Sequence, residues 1–378
     1  MQRLGFRHLS LFFLAFWTAP VMADIKLAPW LSGLSKPTDL RFIADSPFAL
    51  VTEKGGELVW IDTRSKKTGT LHEFDVKTSS ELGLLAVAVS PNFTKDQTLY
   101  LYLSPGSGNA RTQLLRAKVS DLNLAKAKLT VEKVLLELDQ PYNNHNGGGL
   151  AFDNQGHLYL GLGDGGSAYD PLRAGQDLKT WQGKILRITP DASDPKGYVI
   201  PAGNYRDFHK KARPEIFAIG IRNAWRISFS NANDFFIADV GQDKWEEVNW
   251  VTSDVLGQAP LNFGWSVQEG LVCFRDSKCA KQKYHQPKWV YGRGWGRSIT
   301  GGYSYEGTQV KALKDHYVFG DFVTGRIGAF PISLHRQISA NQIVEIEGQG
   351  NNWSSFGRDS QGELYAVSYG GKIFKFTD

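Results

Sequence analysis

Asn154-Gln155-Gly156-His157-Leu158-Tyr159-Leu160 is a polar turn with glycine at its tip that runs directly into a short strand of alternating apolar and aromatic residues. Such a run reads as a strand entered from a tight turn. The pattern recurs at Gly55-Gly56-Glu57-Leu58-Val59-Trp60, Asp96-Gln97-Thr98-Leu99-Tyr100-Leu101 and, more loosely, Asn233-Asp234-Phe235-Phe236-Ile237. His316-Tyr317-Val318-Phe319 is a fifth copy, and Gln361-Gly362-Glu363-Leu364-Tyr365-Ala366 closes the series. Six copies at roughly 60 residues each suit four-stranded units with loops. Helical periodicity is almost absent, Leu122 to Val134 being the best candidate. The expected fold is all-β, a six-bladed β-propeller over residues 24–378, in preference to a sandwich or paired barrels. Length alone allows two domains, but no Pro/Ser-rich linker, low-complexity tract or charge block marks a boundary. Propellers gather ligands at one mouth of the central channel, where residues distant in sequence meet.

The N-terminus addresses the chain for export. Arg3 and Arg7 precede the apolar run Leu9 to Val21, too short to span a bilayer comfortably, and Val21-Met22-Ala23 places cleavage after Ala23. The expectation is a signal peptide over 1–23 and a periplasmic or secreted product, with a retained anchor as the alternative. Nothing later in the chain reads as a membrane span. The full chain carries +5, and loss of Arg3 and Arg7 leaves +3. That is too weak and too scattered for nucleic acid. Cys273 and Cys279, close together in a polar segment, read as one local disulfide in an oxidising compartment.

Four constellations carry candidate chemistry. Asn144-His145-Asn146-Gly147-Gly148 sets an imidazole, the side chain best suited to take a proton near neutral pH, in a glycine-rich turn. A His in a polar turn is also an ordinary surface residue. Gly161-Leu162-Gly163-Asp164-Gly165-Gly166 has the glycine spacing of a dinucleotide loop, but no helix follows and Pro171 interrupts, which excludes NAD or FAD binding by that mechanism. Asp164 and Asp170 are read as ordering that loop, with calcium binding as the alternative. In Gly220-Ile221-Arg222-Asn223-Ala224-Trp225 an Arg fork beside an Asn amide can hold planar oxygens, or simply pair with an acid. Asp239-Val240-Gly241-Gln242, running on to Glu247, offers carbonyl and carboxylate oxygens of the kind calcium prefers.

Taken in order, these motifs resemble the glucose/sorbosone dehydrogenase family, soluble propellers that use pyrroloquinoline quinone (PQQ). Further markers are Gly83-Leu84-Leu85-Ala86-Val87-Ala88, Trp181-Gln182-Gly183-Lys184-Ile185-Leu186-Arg187-Ile188, Asn262-Phe263-Gly264-Trp265, Ser298-Ile299-Thr300-Gly301-Gly302-Tyr303 and Phe319-Gly320-Asp321-Phe322. The last three, with the cysteine loop, look most like the sorbosone or Hedgehog-interacting-protein-like branch. The resemblance implies a PQQ- and calcium-dependent aldose dehydrogenase that oxidises C1 of a sugar to the lactone and passes electrons to a periplasmic acceptor. It makes His145 the general base and Arg222 the group that polarises the developing oxyanion. Asn144 and Asn223 would position substrate and cofactor, the Gly241 and Gln242 carbonyls would hold the cofactor's calcium, and Glu247 would be a structural calcium ligand.

This chain departs from the family pattern at the cofactor grip. Glu81 stands where the glucose enzymes place a cofactor-binding Gln, Asn144 where an acid is expected beside the catalytic His, Asn352 and Ser354 where a basic pair is expected, and Val323 near a clamping Lys. Arg326 and Arg358 lie close enough in sequence to compensate. The alternative function is a non-catalytic propeller of the same family that binds a carbohydrate or a protein. A calcium-dependent lactonase would need a carboxylate cluster that the sequence does not display.

Overall fold

The computed structural model describes residues 25–275, 278–279, 284–334, 336–346 and 350–378. The signal peptide read over 1–23 lies outside the described residues, as does part of the cysteine loop. Five four-stranded antiparallel sheets and one larger sheet make up the ring; the larger one, third along the chain, has the same four antiparallel strands extended by Tyr198–Val199 and by a parallel pairing of Ile216–Ile219 with Leu261–Asn262. Their innermost strands are Pro37–Phe42, Leu84–Val89, Gly149–Phe152, Ala224–Phe229, Ile299–Ser304 and Trp353–Arg358. Each packs against the next, and the sixth against the first, closing a six-bladed propeller. The N-terminal strand Lys26–Ser32 completes the last blade by pairing with Lys372–Thr377, so the two ends of the described chain fasten the ring.

The turn repeat has a clear physical origin. In blade three, Asp153 accepts the backbone N–H groups of Gln155 and His157 (3.0 and 2.8 Å), and Gly156 turns back at φ 83°. In blade six, Asp359 does the same for Gln361 and Glu363 (3.0 and 2.9 Å), with Gly362 at φ 82°. An Asx turn of this kind replaces a backbone turn and leaves the following strand correctly aimed. Five of the six sequence copies enter the second strand of a blade. The copy at Gly55–Trp60 instead enters the third strand of blade one, Glu57–Asp62; that blade's second strand is Phe48–Glu53. A second correction concerns Leu122 to Val134. Its apolar residues lie on a turn and on the strand Leu129–Asp139, because pairing with Arg111–Val119 outweighs weak helical spacing.

Two features prepare one mouth of the channel for function. Pairing registers shift near the start of five innermost strands, at Pro37/Asp39, Leu84/Ala86, Ala224/Arg226, Ile299/Gly301 and Trp353/Ser355. A bulge re-aims the side chain it carries, and Thr38, Leu85, Trp225 and Ser354 all turn toward the same cavity. Below them the axis is closed by Arg226, which donates to Gly148 O (2.8 Å), Leu85 O (3.1 Å), Thr38 O and Ser355 Oγ (3.0 Å). Burial pushes its pKa down to about 10, so it stays charged at neutral pH. Asp39 stands beside it (4.0 Å) and pairs with Arg41 at 3.0 Å. The propeller is therefore plugged, and the mouth is a pocket rather than a pore.

Candidate active site

The cavity at this mouth has a volume of about 400 Å³ and takes lining residues from blades and connections around the ring. His145, Arg222, Asn223, Glu81 and Gly241, all singled out from sequence, are among them. The backbone of His145 is left-handed (φ 53°), an unusual state for a residue with a side chain, and one that costs on the order of 1–3 kcal/mol. It is held there by neighbours. A Cβ on Gly163 would lie 2.0 Å from the His145 carbonyl, so only glycine lets this loop pass beneath the histidine.

The chemistry of the imidazole is set by its two partners. Nδ1 lies 2.8 Å from Asp164 Oδ1, and Nε2 lies 2.8 Å from a guanidinium nitrogen of Arg222. Guanidinium can only donate. Nε2 must therefore carry a lone pair, and the single ring proton sits on Nδ1, donated to Asp164. This is the tautomer that presents a base to the cavity. Asp164 is itself fixed, accepting the Trp265 indole N–H at 2.8 Å and the Gly166 N–H at 3.0 Å.

Arg222 is equally constrained. Its backbone N–H and that of Asn223 donate to buried Asp239, whose carboxyl is pushed up by burial, and one guanidinium nitrogen donates to Val240 O (2.8 Å). Its Nε is buried with no hydrogen-bond partner among the described residues. A buried donor without an acceptor is costly. Asn223 ties the loops together, donating to Glu81 Oε2 (3.1 Å) and accepting the Gly147 N–H (3.0 Å). Glu81 also accepts the Asn146 N–H (3.2 Å).

Several sequence expectations are corrected here. Asn144, expected to help position substrate and cofactor, is not on the cavity lining. Its Oδ1 accepts the Ser167 N–H, and Asp164 is the anion on the imidazole. Arg326 does not reach the cavity. It packs near the Trp295 ring (5.9 Å) and 3.9 Å from Glu345. Arg358 faces the opposite mouth, paired with Glu306 at 2.6 Å. The positive charge comes instead from Lys54 and Arg297, both on the lining and neither visible as a motif. Lys54 donates to Ser80 O at 2.5 Å, and burial holds its pKa below the usual lysine value.

The metal expectations divide. Gly241 lines the cavity, and among the described residues neither its carbonyl nor that of Gln242 accepts a hydrogen bond. The Gln242 side chain turns away to accept the Tyr169 N–H. Glu247 is buried away from the cavity, accepting the Gly270 N–H (2.5 Å), and its carboxyl is pushed well up by burial and by neighbouring Asp239. Among the described residues no group of three acidic, His or Cys side chains is arranged to hold a metal. Cys273 and Cys279 are joined in a disulfide. No helix of the described residues is long and apolar enough to cross a membrane.

A Trp265→Phe substitution keeps the ring and deletes the N–H on Asp164. Loss of such an orienting partner typically costs 10–100-fold, so turnover is expected to fall about tenfold with little change in thermal midpoint. Steady-state kinetics beside a melting curve checks this.

The chain belongs to the Glucose / Sorbosone dehydrogenase family, whose pattern it matches over residues 34–372. It is 33% identical to the HIPL1 protein of Arabidopsis thaliana over 228 residues, 53% of this chain and 32% of that protein. It is 29% identical to the aldose sugar dehydrogenase YliI of Escherichia coli, over 66% of this chain and 64% of that one. It is 25% identical to human Hedgehog-interacting protein over 80% of this chain and 44% of that one. The chain thus spans about a third to two thirds of these relatives' lengths. The same fold occurs in the crystal structure of the E. coli soluble aldose sugar dehydrogenase, with TM-score 0.75, 22% identity, and 94% and 99% of the two chains covered.

Proposed function

We propose that the protein is an aldose dehydrogenase that oxidises C1 of a sugar to the lactone at PQQ, with calcium. The observation that supports this best is the pair of contacts on His145: a base with its proton fixed on the Asp164 side and its lone pair held by Arg222 at the cavity wall. An aldose C1 hydroxyl placed at Nε2 would replace Arg222 as that atom's partner. His145 then takes the hydroxyl proton, Asp164 stabilises the imidazolium, and Arg222 is released to hold negative charge that develops on an oxygen in the cavity.

The residues present fit the quinone's chemistry. Lys54, Arg222 and Arg297 would face its carboxylates, Trp225 and Phe322 would offer flat apolar surface, and the Gly241 carbonyl on the lining, with the neighbouring Gln242 carbonyl, would offer hard oxygen to calcium. When bound, PQQ supplies the two-electron acceptor for the C1 hydride. Glu81 does not stand as a free anion against it, because Asn223, the Asn146 N–H and nearby Lys54 share its charge. Export to the periplasm, a sugar substrate and a periplasmic electron acceptor complete the reading.

The resemblance to Hedgehog-interacting protein favours a second reading, a non-catalytic binding propeller. Titrating the protein with PQQ and calcium, then measuring aldose-dependent dye reduction, separates the two. Micromolar cofactor binding with turnover is expected; absence of binding at that concentration selects the second reading. Lys54→Met is expected to weaken PQQ binding about 10–100-fold, the worth of one charge-assisted contact, as read by the same titration.

A further inference from the structure

Beside the cavity, across the turn that carries Gly241, lies a groove of about 810 Å³. Its floor is a short aromatic ladder. Phe274 packs on Trp265 (ring centroids 4.8 Å apart), and Tyr169 stacks on Phe274 (5.8 Å, 21° between planes). Tyr169 nevertheless remains 57% exposed. An exposed aromatic on a loop would ordinarily be mobile and of no consequence.

This loop is held. Ser167, Tyr169, Asp170 and Arg173 all have left-handed backbones, with φ between 47° and 67°. Non-glycine residues in that region cost energy and persist only where surroundings over-determine them. The surroundings are on view: Gln242 Oε1 accepts the Tyr169 N–H (2.6 Å), Arg275 donates to the Asp170 carbonyl (2.8 Å), and buried Asp170 takes the N–H groups of Ala174 and Gly175 (2.7 and 3.1 Å). The facing turn is held too, because Glu269 Oε1 accepts the N–H groups of Gln242, Asp243 and Lys244. Around the presented ring stand the exposed side chains of Arg173, Asp243 and Lys244.

We infer that this groove binds the outer units of a neutral oligosaccharide. A pyranose presents a C–H face, slightly positive, that suits the negative face of an aromatic ring. Its vicinal hydroxyls each need a donor and an acceptor, which a rim of mixed sign supplies and a uniformly charged polymer would not find. Trp265 joins the two sites, since its ring carries Phe274 and its N–H carries Asp164, the partner of the base. The further step, that the reducing end of the same chain reaches His145, rests on the dehydrogenase reading; binding in the groove does not.

The test uses borohydride-reduced tetrasaccharides (malto-, cello- and xylo-), which have no aldose to oxidise, in calorimetric titrations of the cofactor-free protein. At least one is expected to bind at sub-millimolar Kd, tenfold or more tighter than its reduced disaccharide. Tyr169→Ala is expected to weaken that binding about tenfold or more, and Tyr169→Phe to retain it. No binding by any of the three, or binding indifferent to Tyr169→Ala and Lys244→Ala, overturns the inference. Aldose oxidation without alditol binding removes the groove and leaves the dehydrogenase. Alditol binding without oxidation removes the dehydrogenase and leaves the groove.

Discussion

His145→Ala is expected to bind PQQ as the unsubstituted protein does and to turn over an aldose about 10²–10⁴-fold more slowly, the usual contribution of a positioned base. Asp164→Asn should approach the same loss, for a reason peculiar to this geometry. An amide at position 164 can donate toward Nδ1, which moves the ring proton to Nε2. That proton would then face the Arg222 guanidinium 2.8 Å away, donor against donor, and no base would remain. Asn144→Ala, by contrast, is expected to act only through the Ser167 loop it supports and to leave the pH dependence of turnover in place. Dye-reduction kinetics across pH, with each variant's PQQ affinity measured separately, distinguishes a lost base from a lost cofactor.

The second large effect is on the fold. Arg226 satisfies main-chain oxygens or side chains from blades one, two, three and six, while itself belonging to blade four. Arg226→Met would leave those acceptors unpaired at the axis and leave Asp39 with less compensation. Removing one partner of a buried charged network costs about 3–5 kcal/mol. Lysine should recover only part of this, because a single ammonium cannot reproduce the planar fork. Chemical denaturation of the three proteins gives the answer directly. A loss under about 1 kcal/mol for Arg226→Met would mean that apolar packing between blades, not the axial plug, holds the ring.

The propeller was legible because its repeat is local. A turn of Asp, Asn and Gly followed by a strand is decided within seven residues, so five of six copies register on the same strand of their blades. The exception, Gly55–Trp60, arises because blade one has a second turn of similar composition, Lys54-Gly55-Gly56, one strand later. Of the candidate site residues, the sequence pointed to His145, Arg222, Asn223 and Gly241 through motifs and to Glu81 through its position before Gly83-Leu84-Leu85, and the fold brings these five to one cavity. Asp164 lay in a run already singled out, but nothing local says that its carboxylate crosses to a histidine 19 residues earlier rather than ordering its own loop. Lys54 and Arg297 come from turns in blade one and before blade five, and meet only because the ring closes. Linear alignment sought the missing cations near Val323 and Asn352. The cations on the cavity lining come from neighbouring turns instead: Arg297, whose backbone N–H donates to Asp321 Oδ2 (2.7 Å), stands beside the Val323 turn, and Lys54 comes from blade one, next to the last blade.

The most direct test of the account is a single-turnover measurement on PQQ-loaded protein, comparing an aldose with its C1-deuterated form. Reduction of the bound quinone is expected to be slowed by C1 deuteration and to fall 10²–10⁴-fold in His145→Ala at full cofactor occupancy. Reduction by His145→Ala at the unsubstituted rate, or quinone that binds and is never reduced by any aldose, would contradict it.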